Sequence, residues 1–136
     1  MKIMAALDLS DYADFVLLKA IKTAKQQDAK LDIVVVAEGE ETSEKLFGDN
    51  TRAAHSYQQK ALAQEVTAKV RVLVGRSAAE EIIRYQKAEN LDLVVLGRRS
   101  RKVQEGSPMG AVARRVAAYA TCTVMVVRCM EARDFV

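Results

Sequence analysis

The sequence predicts an α/β protein: an open, all-parallel five-stranded sheet with helices on both faces, three layers in all. Three observations predict it. Short apolar, β-branched runs alternate with longer segments whose apolar residues recur at helical spacing, and this continues along the whole chain. The short runs are apolar on successive residues, as in strands covered on both faces. The chain has 136 residues and one proline, which suits a single domain over residues 1–136 without a disordered linker.

The elements follow in order. Lys2–Leu7 is the first strand, and Asp8 ends it. Ser10 is placed to cap a helix over 11–27, with Asp11 and Asp14 in the first turn, where negative charge is favoured. Ala13, Val16, Leu17, Ala20, Ile21 and Ala24 form one apolar face of that helix. Leu31–Ala37 is the second strand. Glu38–Asn50 is polar, acidic and contains Gly39 and Gly48, so it is expected to be the longest loop and the most mobile segment. Ala54, Tyr57, Ala61 and Val66 predict a helix over Thr51–Thr67. Val70–Val74, closed by Gly75, is the third strand.

Ser77 and Glu80 have the spacing of a capping box. The helix they open carries Ala79, Ile82, Ile83 and Gln86 and runs to about Glu89, with Asn90 as its stop. Leu91–Leu96 is the fourth strand. After Gly97 come Arg98, Arg99, Arg101 and Lys102, the densest positive cluster in the chain. Pro108 interrupts this loop two residues before Gly110. The last helix is expected to bury Val112, Ala113, Val116, Ala117 and Ala120, with Arg114 and Arg115 on the other side. Thr123–Val127 is the final strand, and Cys129–Val136 reads as a tail.

Composition narrows the function classes. A net charge of +3 is too mild to indicate a nucleic-acid partner. The opening MKIMAALDLS has too short an apolar core for a secretory signal, and no stretch approaches a membrane span. Cys122 and Cys129 flank a five-residue strand that holds them beyond bridging distance. They are read as free thiols in a reducing cytosol, with no metal site, since His55 is the single histidine.

Strand, glycine, loop and helix N-terminus together form an anion-binding arrangement. The first N–H groups of a helix lack internal partners, and the macrodipole adds partial positive charge at the same end. The spacing is Gly97, two residues, Ser100, nine residues, Gly110-Ala111.

That spacing resembles the C-terminal signature of the universal stress protein family, whose nucleotide-binding members show Gly-x2-Gly-x9-Gly-Ser/Thr. Gly97 and Gly110 stand at the first and third glycines, Ser100 at the second and Ala111 at the hydroxyl position. The segment GAVARRVAAYATCTVMVVR is similar to the family's ending. The resemblance implies strand order 3-2-1-4-5, flavodoxin- or Rossmann-like, which brings the loops after Asp8 and Gly97 to one crevice. It implies a stress-response or signalling domain that binds ATP or AMP, with or without Mg²⁺. Asp8 and Leu9 would lie near the ribose, Val35 and Val36 beside the adenine, and Gly97, Arg98, Arg99, Ser100, Gly110, Ala111 and Val112 around the phosphates. It also implies a cytoplasmic homodimer joined through Thr123–Arg128.

Two departures bear on the ligand. A hydroxyl bonded to a charged phosphate contributes about 1.5–3 kcal/mol, and Ala111 has none. Ser100 adds a Cβ but offers its own hydroxyl. A nucleotide-free interaction module of the same fold is therefore the alternative. A flavin site is a weaker third reading, which a colourless protein would remove. Efficient catalysis is not expected, because Ser10, Ser77, Ser100 and Ser107 have no adjacent base and His55 reads as a surface residue. Weak hydrolysis of bound ATP is the activity left open.

Overall fold

The computed structural model describes residues 1–40, 43–98 and 109–128. Five parallel strands are β1 (Lys2–Leu7), β2 (Lys30–Glu38), β3 (Ala68–Gly75), β4 (Leu93–Gly97) and β5 (Thr123–Val127). Four helices are α1 (Ala13–Gln27), α2 (Glu44–Ala63), α3 (Ala78–Ala88) and α4 (Ala111–Tyr119). The sheet order is β3-β2-β1-β4-β5, as expected. Register is regular, with Leu7 opposite Val35 and Ile3 opposite Leu93.

The three central strands carry the least exposed side chains. Ile3, Ala5, Ile33, Val35 and Val95 pack with Val16, Leu17, Ala20, Ala54 and Ala61 under α1 and α2. Met4, Val34, Val36, Val94 and Leu96 pack with Ala79, Ile82, Ala113 and Val116 under α3 and α4. Alternate residues of one strand thus feed opposite cores. Going from β1 to β2 to β3 the helices lie on one face. The crossover through α3 carries the chain back past β1, and α4 continues on the second face, as right-handed connections require.

Several boundaries differ from expectation, each for a local reason. Asp8 Oδ1 accepts from the Ser10 N–H at 2.9 Å, and Ser10 Oγ accepts from the Tyr12 N–H at 3.3 Å. Ser10 is thus spent on a turn, and α1 starts two residues later than placed, with Tyr12 at its N-cap. Asp11 therefore precedes the helix, while Asp14 is in its first turn and pairs with Lys60 at 2.8 Å. The capping residue of α3 is Ser77 as read, its Oγ accepting from the Glu80 N–H at 3.3 Å. Asn90 ends the segment at φ 52°, in the left-handed region that asparagine tolerates.

The largest correction concerns Glu38–Asn50, which is not a loop throughout. β2 runs to Glu38, Ser43 caps α2 by accepting from the Leu46 N–H at 3.3 Å, and the helix is under way from Glu44. Gly48, Asp49 and Asn50 have poor helix propensity, but tertiary packing of one face overrides it. That face is Leu46, Asn50, Ala54, Tyr57 and Ala61, of which the last four are buried. On α4 the buried face is narrower than expected: Ala113 and Val116 are buried, Val112 and Ala120 partly so, and Ala117 is exposed.

Candidate functional site

The strand order reverses between β1 and β4, and the C-terminal ends of these strands open into a crevice. Two adjoining cavities fill it, sharing Asp8, Val36, Ala78 and Val112 as walls. The smaller, about 60 Å³, reaches under Gly97, Arg98 and Gly110. The larger, about 320 Å³, extends over the end of β2 to Glu38, Leu46 and Asn50. That volume falls in the range of small-molecule pockets, roughly 300–1,000 Å³.

The floor at β1 is a tight turn. Besides the Asp8–Ser10 bond, the Tyr57 hydroxyl donates to the Asp8 carbonyl at 2.9 Å, tying α2 to the turn. Burial, and then the Asp14 and Asp8 carboxylates, raises the Tyr57 pKa and keeps the phenol a donor. Asp8 is half-buried and lines both cavities. Its Oδ1 serves the turn, and Oδ2 is the oxygen not engaged there. The turn thus uses one of the two carboxylate oxygens of Asp8.

The opposite wall is built by β4 and α4. The Arg98 N–H donates to the Val127 carbonyl at 2.8 Å, and the Gly110 N–H donates to the Arg98 carbonyl at 2.7 Å. These bonds clamp the stem of the basic loop. Gly110 is the N-cap of α4 at φ −68°, ψ 160°, which any residue adopts, so its conformation does not require glycine. The first intrahelical donor is the Arg114 N–H, bonded to the Gly110 carbonyl at 3.1 Å, so the N–H groups of Ala111, Val112 and Ala113 precede it at the open end. Arg98 is half-buried, and its Nε is buried with no acceptor among the described residues. An unmatched buried donor costs about 1–3 kcal/mol, more on a charged group.

Of the residues expected at the site, Asp8, Leu9, Val36, Gly97, Arg98, Gly110, Ala111 and Val112 all line the crevice. Val35 is brought to the same level but packs in the core beneath α1 and α2, so only its neighbour Val36 forms a wall. Arg99 and Ser100 lie outside the described residues.

Among the wall residues that sequence reasoning missed, Glu38, Leu46 and Asn50 were placed in a loop. Glu38 Oε1 accepts from the Ala78 N–H at 3.2 Å, setting a carboxylate at the start of α3. Asn50 is 1% exposed, and its Nδ2 donates to the Leu46 carbonyl at 2.7 Å. Its Oδ1 is buried without a donor among the described residues. The available signal was an asparagine in register with Leu46, Ala54, Tyr57 and Ala61, a polar group on an otherwise apolar stripe.

Other titratable groups lie elsewhere. Tyr85 donates to Asp32 Oδ2 at 2.9 Å; burial and then that bond push its pKa up to about 12. Cys122 is partly buried, and its thiol pKa is raised, chiefly by burial. His55 is exposed on α2. Among the described residues no group of three His, Cys, Asp or Glu is gathered to hold a metal ion.

The family model for the universal stress protein family matches residues 1–128. With the fold above, this chain belongs to that family. It is 26% identical to the universal stress protein YxiE of Bacillus subtilis, over 93% of this chain and 98% of the other. A universal stress protein from Archaeoglobus fulgidus, solved in complex with dAMP, is 20% identical and superposes with a TM-score of 0.76, covering 93% of this chain and 96% of that one. A family protein from Arabidopsis thaliana with AMP bound is 18% identical, with a TM-score of 0.69 over 98% and 94% of the two chains.

Proposed function

We propose that this protein is a stress-response or signalling module that binds an adenine nucleotide, ATP or AMP, in the crevice between β1 and β4. One observation carries the reading: an acceptor, Asp8, and donors from Arg98 and the start of α4 share a single crevice at the topological switch point. Asp8 and Val112 line both cavities, Arg98 and Gly110 the smaller one and Ala111 the larger. A nucleotide has the matching polarity, hydroxyls on the ribose and charge on the phosphates. The dAMP and AMP complexes of proteins with the same fold support it.

In this reading Asp8 Oδ2 accepts from a ribose hydroxyl, with Leu9 beside it. The phosphates lie against the amides of Ala111 and Val112, the stem at Gly97 and Gly110, and the Arg98 guanidinium. Arg99 and Ser100 would extend that contact. Helix-end amides retain their N–H donors whatever the side chain, so Ala111 removes one hydroxyl contact and leaves the main-chain ones. Mg²⁺, when present, would ride on the phosphates, as it commonly does with few protein ligands.

The protein acts by binding rather than by efficient catalysis, with weak ATP hydrolysis left open; a kcat on the order of 1 s⁻¹ or more for purified protein would overturn this. We further propose a cytoplasmic homodimer through Thr123–Arg128. In support, β5 is at one edge of the sheet, hydrogen-bonded to β4 on its inner side, with apolar Val124 and Val126. No helix among the described residues is long and apolar enough to cross a membrane. Sedimentation of a monomer at tens of micromolar would contradict the dimer.

The test of the binding reading is the nucleotide content of freshly purified protein. The protein is denatured and the supernatant separated by ion exchange with absorbance detection at about 260 nm. Near-stoichiometric ATP or AMP is expected. Absence of nucleotide there, together with no calorimetric heat at millimolar Mg-ATP and AMP, would leave the interaction module as the reading.

A further inference from the structure

Tyr57 lies on the buried face of α2, between Ala54 and Ala61, and is 8% exposed. Side chains on a helix tilt toward its N-terminus. Those of α2 therefore lean toward the C-terminal end of β2, where the crevice opens, because α2 follows that strand and runs back toward the start of β3. The Tyr57 hydroxyl ends on the Asp8 carbonyl, to which it donates at 2.9 Å across 49 positions of sequence. That carbonyl lies past the strand and before the helix. The β1–β2 ladder ends with Leu7 opposite Val35, and the first carbonyls taken up at the start of α1 are those of Ser10 and Tyr12.

Asp8 is thus held at two atoms. Tyr57 holds its carbonyl, and the Ser10 N–H holds its Oδ1 at 2.9 Å. Together these bonds fix the main chain and the side chain of a residue that lines both cavities. The Ser10 bond is local and moves with the turn. The Tyr57 bond ties the turn to a separate element. The ring is itself held: Lys60 Nζ lies 5.8 Å from its centroid and pairs with Asp14 of α1 at 2.8 Å. The same helix supplies Leu46 to the larger cavity, so one hydroxyl sets the β1 turn against the wall that α2 makes.

We propose that Tyr57 is a positioning residue: its hydroxyl, through the Asp8 carbonyl, holds the Asp8 carboxylate where a ligand hydroxyl meets it. This inference rests on the nucleotide reading and adds to it a residue that touches no ligand. A carboxylate fixed before binding loses less freedom on binding, and that difference is what Tyr57 adds to affinity. The contribution passes through Asp8 alone, so it disappears when the carboxylate does.

The test is a double-mutant cycle on the full chain, freed of nucleotide, with Tyr57→Phe, Asp8→Ala and the two combined. Calorimetry with AMP and thermal melting read it. Tyr57→Phe is expected to weaken AMP about three- to tenfold, the order of one hydrogen bond, and to lower the melting temperature. Inorganic phosphate, which the nucleotide reading places at Arg98 and α4, should bind as before. In the Asp8→Ala background the same substitution should change AMP affinity by less than about twofold. It should lower the melting temperature there too, because the main-chain carbonyl of residue 8 remains. Tyr85→Phe, which removes a hydroxyl bond to Asp32 away from the crevice, is the control and should leave AMP affinity unchanged.

A merely structural role predicts equal weakening of AMP in both backgrounds, or weakening of phosphate alongside AMP, and either result would overturn the proposal. Unchanged AMP affinity in folded Tyr57→Phe would do the same. In each of these cases the unaltered protein still binds AMP, so the nucleotide reading stands. No binding of AMP to the unaltered protein at millimolar concentration would overturn that reading and this inference with it.

Discussion

The acceptor groups and the donor groups that line the crevice differ both in hydrogen-bonding sign and in how they are held. The acceptors are Asp8, Glu38 and Asn50, and they are pinned from several directions. Asp8 is bonded to Ser10 and Tyr57, Glu38 to Ala78, and Asn50 to Leu46. The donors are Arg98 and the first amides of α4, fixed at the stem of their loop by two main-chain bonds, Arg98 to Val127 and Gly110 to Arg98. In the proposed reading, the pinned acceptors offer the directional contacts to the sugar. The donors offer charge and backbone N–H groups, which attract an anion with less demand on its shape. The proposed reading thus gives acceptors and donors different roles, and substitutions should separate them.

The sharpest break comes at Asp8. Asp8→Ala should weaken adenosine, AMP and ATP alike, by about ten- to 150-fold, because a charged hydrogen bond to the sugar is common to all three. Calorimetry with the three ligands reads this; a loss confined to ATP would put Asp8 among the phosphate contacts instead. Among the donors, Arg98→Met keeps much of the length and removes the charge. AMP and ATP should bind about tenfold more weakly at low salt, with adenosine unchanged. The defect should shrink as ionic strength rises, which a titration series in salt would show.

A smaller change sharpens the contrast from the same side. Ala111→Ser restores a hydroxyl at the start of α4 and should tighten AMP and ATP by about fivefold without altering adenosine. Equal tightening of adenosine would mean that Ala111 faces the sugar.

Tyr85→Phe serves as a control away from the crevice. Removing the bond to Asp32 should lower stability by about 1 kcal/mol and leave nucleotide affinity unchanged. The Tyr85 pKa rises from 10.0 to about 12 in the folded protein, so the folded state holds its proton more tightly than the unfolded chain. Its stabilisation is complete below about pH 10 and is lost as pH rises toward 12. Denaturation midpoints between pH 9 and about 12 should therefore fall more steeply in the unaltered protein than in Tyr85→Phe.

The same contrast separates what was legible in the sequence from what was not. Strands announce themselves through runs such as Ile33–Val36 and Val94–Leu96, because a strand covered on both faces has no polar option. Gly97, Gly110 and Ala111 stand at family spacing, so the β1/β4 crevice and its donor wall could be read as a pattern. The strand order came from that resemblance and not from periodicity. The start of α2 was hidden because Gly48, Asp49 and Asn50 look like turn residues locally, and their helical state is set by packing against distant strands. With that start went Leu46 and Asn50, which are near the crevice only once α2 is long enough to reach it, whereas Glu38 was missed because β2 runs one residue past its expected end. Ser10 misled for a related reason: a good capping residue was used by the Asp8 turn instead. The alanine stripe of α4 overstated its buried face, because alanine tolerates exposure and Ala117 is exposed.

The measurement that tests the central claim most directly is a calorimetric titration of nucleotide-free protein with adenosine, AMP and inorganic phosphate, for the unaltered chain, Asp8→Ala and Arg98→Met. The account predicts one AMP per chain, bound more tightly than either adenosine or phosphate. It also predicts that adenosine binding responds to Asp8 alone and phosphate binding to Arg98 alone. AMP binding that is indifferent to both substitutions, or no binding at millimolar AMP, would contradict a nucleotide held across this crevice.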